Sequence, residues 1–339
     1  MPTRGRPWAV LVACAMSVAG LVLAACRGLV HPAPLEVPVA PWVGHAYLPL
    51  AQKLGLAQAA GVQLRFVFYD DPQDIVQAWL AGRLSLAPLT SVEVVDICGR
   101  RRDRCPVIVL VLDESQGADT LILHRSIQDL RDLRGRRVGV AASSLGPYVV
   151  SQALTSVGLD IADVRLVPLE PAAMASALHN GRIEAAVSYP PFSDLVLRLG
   201  IGRVAFDSRS LPGQIRDLLV VDPQLLASQP EALARLLLAW HWAQRWARRH
   251  PEPATAALAA IQKVSASAVR SAQALTHYTP LEQQRELLAP GGSLEASLQT
   301  VQQVEQGLGI VSADAPLPEV SHALVERALQ LEARMSAPK

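Results

Sequence analysis

After an uncharged stretch over residues 8–25, the hydrophobic positions fall into two alternating rhythms. Runs of β-branched and aromatic residues predict strands at 36–40, 62–69, 84–87, 106–112 and 118–124. Between them, apolar residues three and four apart predict helices at 46–57, 73–81 and 91–98. A second series follows, with strands at 137–140, 164–169, 185–188 and 203–206 and helices at 148–157, 172–179 and 192–199. One more strand is expected at 215–221. Everything after Pro223 has helical spacing, punctuated by Pro230, Pro251, Pro280 and Gly291-Gly292. A β-α-β-α-β order run twice predicts an α/β fold of two doubly wound sheets, two lobes joined by hinge strands, and a helical C-terminal tail. The expected crossings are 121–125 and 208–215. Residues 36–122 with 216–339 then form one lobe and 123–215 the other. Open α/β sheets bind ligands beyond the carboxyl ends of their strands, so a hinged clamp with its site between the lobes is expected.

The opening stretch reads as an address. Arg4 and Arg6 precede it, and it closes on Leu23-Ala24-Ala25-Cys26. Small residues at that point mark a signal peptide over 1–25. A cysteine directly after Leu-Ala-Ala resembles the lipobox of bacterial lipoproteins. That resemblance implies diacylation of Cys26, a lipidated tether over 26–35 and a membrane-anchored place in the periplasm or its equivalent. The competing reading is a plain transmembrane anchor, since 18 apolar residues just span a bilayer.

Composition narrows the classes. Without the leader about 310 residues remain, more than one hydrophobic core usually supports. Losing two arginines turns the formal charge from +1 to −1, a balance with no footprint for nucleic acid. Beyond Cys26 two cysteines remain, Cys98 and Cys105, flanking a polar connection short enough to let them pair in an oxidising compartment. The alternative is two ordinary thiols. The eight histidines show no ligand spacing, so no metal and no cofactor are expected. Gly200-Ile201-Gly202 precedes a strand instead of opening a helix, so it reads as a turn rather than a dinucleotide loop. Arg100–Arg102 with Arg104 read as a solvated loop, and Trp240, Trp242 and Trp246 as core of one helix.

Asp132-Leu133-Arg134-Gly135-Arg136-Arg137-Val138-Gly139-Val140 and the following Ala141-Ala142-Ser143-Ser144-Leu145-Gly146-Pro147-Tyr148 resemble a stretch of the periplasmic solute-binding proteins of the nitrate, sulfonate, taurine and thiamine-precursor ABC importers. Gly158-Leu159-Asp160, His179-Asn180-Gly181-Arg182-Ile183-Glu184 and Tyr189-Pro190-Pro191-Phe192 continue the likeness. Upstream, Trp42-Val43-Gly44-His45-Ala46-Tyr47 is similar to the family's first-strand exit. The resemblance implies the two-lobed periplasmic-binding-protein fold. It also places ligand contacts on Trp42, Gly44, His45, Thr90, Ser91, Ser143, Ser144, Leu145, Gly146 and Tyr189. Physical chemistry supports parts of that set. Ser143-Ser144 and Thr90-Ser91 each follow a strand and precede a helix, where free N–H groups and the helix dipole suit an oxyanion. Simple N-capping is the alternative. Trp42 offers a flat wall or core packing, and His45 an ion partner or an incidental ring.

The chain also departs from the family. Pro190 stands where relatives often carry an acid, so a ligand amine would lose that partner. Leu145 replaces a common hydroxyl residue. Glu93, Asp113 and Asp119 fall near strand ends, where they either repel an anion, hold a cation or sit as solvated rim charges. The implied function is a non-enzymatic, monomeric, lipid-anchored binding component that delivers a small polar, sulfonate- or oxyanion-bearing solute to an ABC permease and ATPase by lobe closure. The alternatives are a sensor subunit for a receptor kinase and an enzyme of the thiamine-pyrimidine type.

Overall fold

A computed structural model describes residues 33–335. The signal peptide, Cys26 and most of the tether lie outside the described residues. β1 (Leu35–Val39) and β2 (Leu64–Phe68) pair in parallel, linked by a 3-10 turn (Val43–Ala46), α1 (Tyr47–Lys53) and α2 (Leu56–Ala60). The single helix expected over 46–57 is two helices. Gly55 between them adopts a left-handed conformation, φ 72°, which glycine takes without steric cost.

α3 (Pro72–Leu80), β3 (Leu86–Thr90), α4 (Ser91–Arg100) and β4 (Val107–Ser115) complete the first series. β4 is buried along almost its whole length, as its unbroken Val-Ile-Val-Leu-Val run requires of a central strand. β1 and β2 form a two-stranded sheet of their own, not hydrogen-bonded to the first large sheet that holds β3 and β4. The second large sheet begins with β5 (Thr120–His124) and continues with β6 (Arg137–Val140), α5 (Leu145–Thr155), β7 (Arg165–Pro168), α6 (Met174–His179), β8 (Ala185–Ser188), α7 (Phe192–Arg198) and β9 (Gly202–Asp207). Its strand order is β7-β6-β8-β5-β9, with β6 parallel to both neighbours and β5 antiparallel to both of its own. β10 (Arg216–Val221) returns to the first sheet, antiparallel between β3 and β4.

The chain passes between the sheets over 116–119 and back over 208–215. The first crossing therefore precedes the expected 121–125. Leu121, Ile122 and Leu123 are fully buried and paired on both sides within β5, so a boundary at residue 122 would cut a strand. The two crossings touch. The Ser115 and Ser208 hydroxyls are 2.8 Å apart, and the Gly117 N–H donates to Ser208 Oγ at 2.7 Å.

The tail packs as α8 (Pro223–Ser228), α9 (Pro230–Arg249), α10 (Pro251–Gln262), α11 (Ala266–Ala274), α12 (Leu281–Leu287), α13 (Ser293–Gly307) and α14 (Ala323–Arg334). It is not purely helical. β11 (Thr276–His277) and β12 (Glu319–Val320) pair with β4 and satisfy backbone groups on its other edge. Trp240 and Trp242 of α9 are core residues, as expected. Among the described residues no helix is long and apolar enough to cross a membrane.

Cys98 and Cys105 are disulfide-bonded, Cα–Cα 4.3 Å, and tie the end of α4 to the approach to β4. The arginines between them are not merely solvated. Arg101 pairs with Asp103 and Arg102 with Asp314, while Arg104 reaches Asp222 at 2.7 Å and lies 5.3 Å from the Trp79 ring centre.

Candidate ligand-binding cleft

A cleft with about 900 Å³ of atom-free space, part of it open to solvent, takes its walls from both sheets. Trp42, His45, Thr90, Glu93 and Asp217 line it from the first sheet and its loops; Ser143, Leu145, Gly146, Val187 and Tyr189 line it from the second. Asp119, at the first crossing, closes the floor between them.

Of the ten expected ligand residues, seven line this cleft: Trp42, His45, Thr90, Ser143, Leu145, Gly146 and Tyr189. Three do not. Gly44 lies beneath the wall, where an added Cβ would sit 1.9 Å from Asp113 Oδ2, so its bare backbone is the seat of that carboxylate. Ser91 is fully buried; its hydroxyl donates to the Gln214 carbonyl and accepts from the Arg216 N–H at 3.2 Å. Ser144 is turned to the opposite side of its loop, toward Glu305 and Asp96, and its hydroxyl makes no hydrogen bond of normal geometry. One step along a loop entering a helix swings the side chain through about 100°, which puts neighbouring serines on different faces.

The helix start at Thr90 is already partly satisfied. Thr90 Oγ1 accepts from the Glu93 N–H at 3.2 Å, and Glu93 Oε2 accepts from the Thr90 N–H at 2.9 Å. This reciprocal capping box places a carboxylate where an incoming oxyanion was expected. The capping alternative is therefore the one that holds for Thr90.

Behind the wall, the Trp42 indole N–H donates to both oxygens of Asp113 at 3.2 and 3.3 Å. Asp113 and Asp217 face each other across β4 and β10. Burial, then the neighbouring Asp217 charge, pushes Asp113 well above the usual carboxylate range. His45 Nδ1 accepts from the Ala40 N–H at 3.4 Å, which assigns the proton to Nε2, 3.2 Å from Asp217 Oδ1. Glu93 is pushed up to about 7 and Asp119 to about 6, each chiefly by burial. With exposures of 5%, 0% and 8%, Glu93, Asp113 and Asp119 are not rim charges.

Sequence reasoning missed Asp71, Pro72 and Gln73 in the cleft wall. Asp71 accepts from the Gln73 N–H at 2.9 Å and reads as an ordinary N-cap; the Asp-Pro pair before a helix was the available signal. Tyr189 packs edge-on to Trp42, ring centres 6.1 Å apart, and to Phe192 at 5.4 Å. Its hydroxyl is buried without a hydrogen-bond partner, and burial holds it protonated.

A sequence model of the family described as "NMT1/THI5 like" matches residues 42–254. Over 150 residues the chain is 24% identical to a putative binding protein of Brucella abortus (strain 2308), covering 43% of this chain and 47% of that one. It is 26% identical over 200 residues to the taurine-binding periplasmic protein of Escherichia coli (strain K12), covering 56% of this chain and 61% of the relative. The matched region thus spans about half to three-fifths of the length of these relatives. The alkanesulfonate-binding protein SsuA of Xanthomonas axonopodis pv. citri, bound to MOPS, superposes with a TM-score of 0.70 at 15% identity, over 88% of this chain and 98% of that chain. At that identity the likeness speaks for the fold.

Proposed function

Since this chain belongs to the NMT1/THI5-like family, we propose that it is the extracytoplasmic solute-binding component of an ABC importer. The cleft carries the proposal: one cavity, walled by two sheets that the chain joins only over 116–119 and 208–215. Residues 35–115 with 216–335 act as one lobe and 120–207 as the other. A solute bridging Trp42 and Thr90 on one wall with Ser143 and Tyr189 on the other binds the closed arrangement better than the open one. That difference in affinity is what drives closure. The closed form is then handed to a permease and its ATPase. Acylation at Cys26 keeps the protein at the membrane surface, where delivery is local.

Three experiments test this. The protein without residues 1–25, purified and unfolded in solvent, should release a small solute in near-stoichiometric amount, identified by mass spectrometry. Small-angle scattering should show compaction when that solute is restored to the stripped protein. A saturable solute that leaves the scattering curve unchanged would remove lobe closure from the mechanism. In cells, Cys26→Ala should abolish labelling by a palmitate analogue, and persistent labelling would remove the acyl anchor.

A further inference from the structure

We infer that the solute this cleft takes up is an organic cation, with its charged nitrogen held between the aromatic wall and the carboxylates of Glu93, Asp119 and Asp217. The inference rests on the solute-binding proposal above and concerns only which chemistry the same cleft selects.

The charge of the lining comes first. Asp71, Glu93, Asp119 and Asp217 reach the cleft, and no lysine or arginine does. Its single basic side chain, His45, already directs its Nε2–H at Asp217. An oxyanion would find no guanidinium or ammonium partner and would face four acids. At the α4 start the Glu93 carboxylate, held by the Thr90 N–H, stands among the first-turn donors and opposes an anion there. That leaves the uncapped α5 start beside Leu145 and Gly146 as the one feature that suits an anion. The aromatic wall points the same way. Trp42 has its only donor engaged by Asp113, so ring surface is what it gives the cleft, and ring surface attracts cations. The buried hydroxyl of Tyr189 and Gln73 Oε1 both lack partners, and each can accept from an N–H.

A metal ion fits less well. Among the described residues, only His241, Glu282 and Glu332 bring three or more potential ligand atoms within 4.8 Å of one another, and none of them lines the cleft. The cleft acids form no such cluster.

Burial explains how an empty acidic cleft is tolerated. The groups around Glu93 are Thr90, Asp96, Tyr189, Asp217 and Glu305, and around Asp119 they are Asp113, Ser115, Tyr189 and Asp217; Asp96 is balanced by Arg100 at 2.7 Å. Below about pH 6 Glu93 and Asp119 both carry protons to a large extent, which lowers the charge of the empty cleft, and an arriving cation displaces them. Binding should therefore release protons and strengthen as pH rises. With folded values near 7 and 6, affinity for a permanently charged probe should be about twentyfold weaker at pH 6 than at pH 8.

The test is calorimetric titration of the protein lacking residues 1–25 with choline, agmatine, benzamidine and propylamine, set against propanesulfonate and taurine. At least one cationic probe should bind more tightly than both sulfonates. Its affinity should rise between pH 6 and 8, with proton release read from buffers of different ionisation enthalpy. Glu93→Gln, which keeps the capping box, combined with Asp119→Asn should weaken that probe at least tenfold and flatten the pH profile. Propanesulfonate or taurine binding more tightly than every cation would overturn the inference and leave the solute-binding proposal standing. Binding of zinc or magnesium ion alone, lost in the same double variant, would overturn it in favour of a metal site. Failure of every probe and both metals to bind would overturn both proposals.

Discussion

Glu305 offers a stability measurement that isolates one buried acid. It sits on α13 with no exposure, and neither carboxylate oxygen has a hydrogen-bond partner. Its neighbours are Asp96, Ser144, Arg100 and Glu93, and burial is the main reason its carboxyl is pushed up to about 9 from an ordinary 4.5. The folded protein then keeps this proton up to pH 9, while the unfolded chain loses it above pH 4.5. Between those values the unfolded state binds fewer protons, so stability falls as pH rises, by about 1.4 kcal/mol per pH unit for one group. From 4.5 to 7 the loss amounts to ~3 kcal/mol, an upper figure if the site relaxes or admits water. Glu305→Gln has nothing to ionise. It should match the parent near pH 4.5, apart from a constant offset, and gain on it steadily to about 3 kcal/mol at pH 7. Urea denaturation of both proteins at pH 4.5, 6, 7 and 8 gives the difference directly. Glu93 and Asp119 titrate with the same sign in both proteins and cancel. Parallel stability curves from pH 5 to 8 would show that Glu305 is ionised in the fold and would refute the reasoning.

Three further outcomes follow from geometry already described. Gly44→Ala should destabilise by about 2–4 kcal/mol in urea melts, because the new methyl displaces Asp113 and breaks its bond from Trp42; a loss under 1 kcal/mol would mean the carboxylate has another seat. Replacing Cys98 and Cys105 together by serine should cost ~2–3 kcal/mol on the chain-entropy model, while ligand affinity, measured by titration, stays the same. Ser144→Ala should leave the affinity for any cleft ligand within about twofold, since its hydroxyl faces Glu305; a tenfold loss would put Ser144 in the site after all.

Much of the architecture was legible in the chain because it is written in period. The β-branched run in β4 and the short β-α connections around it require a buried central strand and flanking helices, whatever the tertiary detail. The two short strands of the tail were not legible. Two residues carry no periodicity, and only the need of β4 for partners on its other edge creates β11 and β12. In the cleft, the loops were recognisable but their side-chain directions were not. Thr90 and Ser143 line it while Ser91 and Ser144 do not, a difference set by helix geometry one residue along. The acids were misjudged for a physical reason. Charge in a sequence is read as exposure, yet Glu93 is held inside by a cap and Asp113 by a glycine and an indole.

The contact between Ser115 and Ser208 limits what kind of movement the molecule can make. The two passages between the sheets, 116–119 and 208–215, are stitched to each other at their starts by that hydroxyl pair and by the Gly117 N–H. Two separate ropes would let the sheets slide, shear or pivot about either one. Ropes knotted together leave rotation about the knot as the easy motion. The knot adjoins Asp119, a cleft residue, so in the proposed clamp a small turn at the joint makes or breaks the Trp42–Tyr189 contact by leverage while the acid at the pivot hardly moves. In the proposed clamp, a ligand touching both ends of that lever would be gripped by the swing while the post beside it stays nearly still.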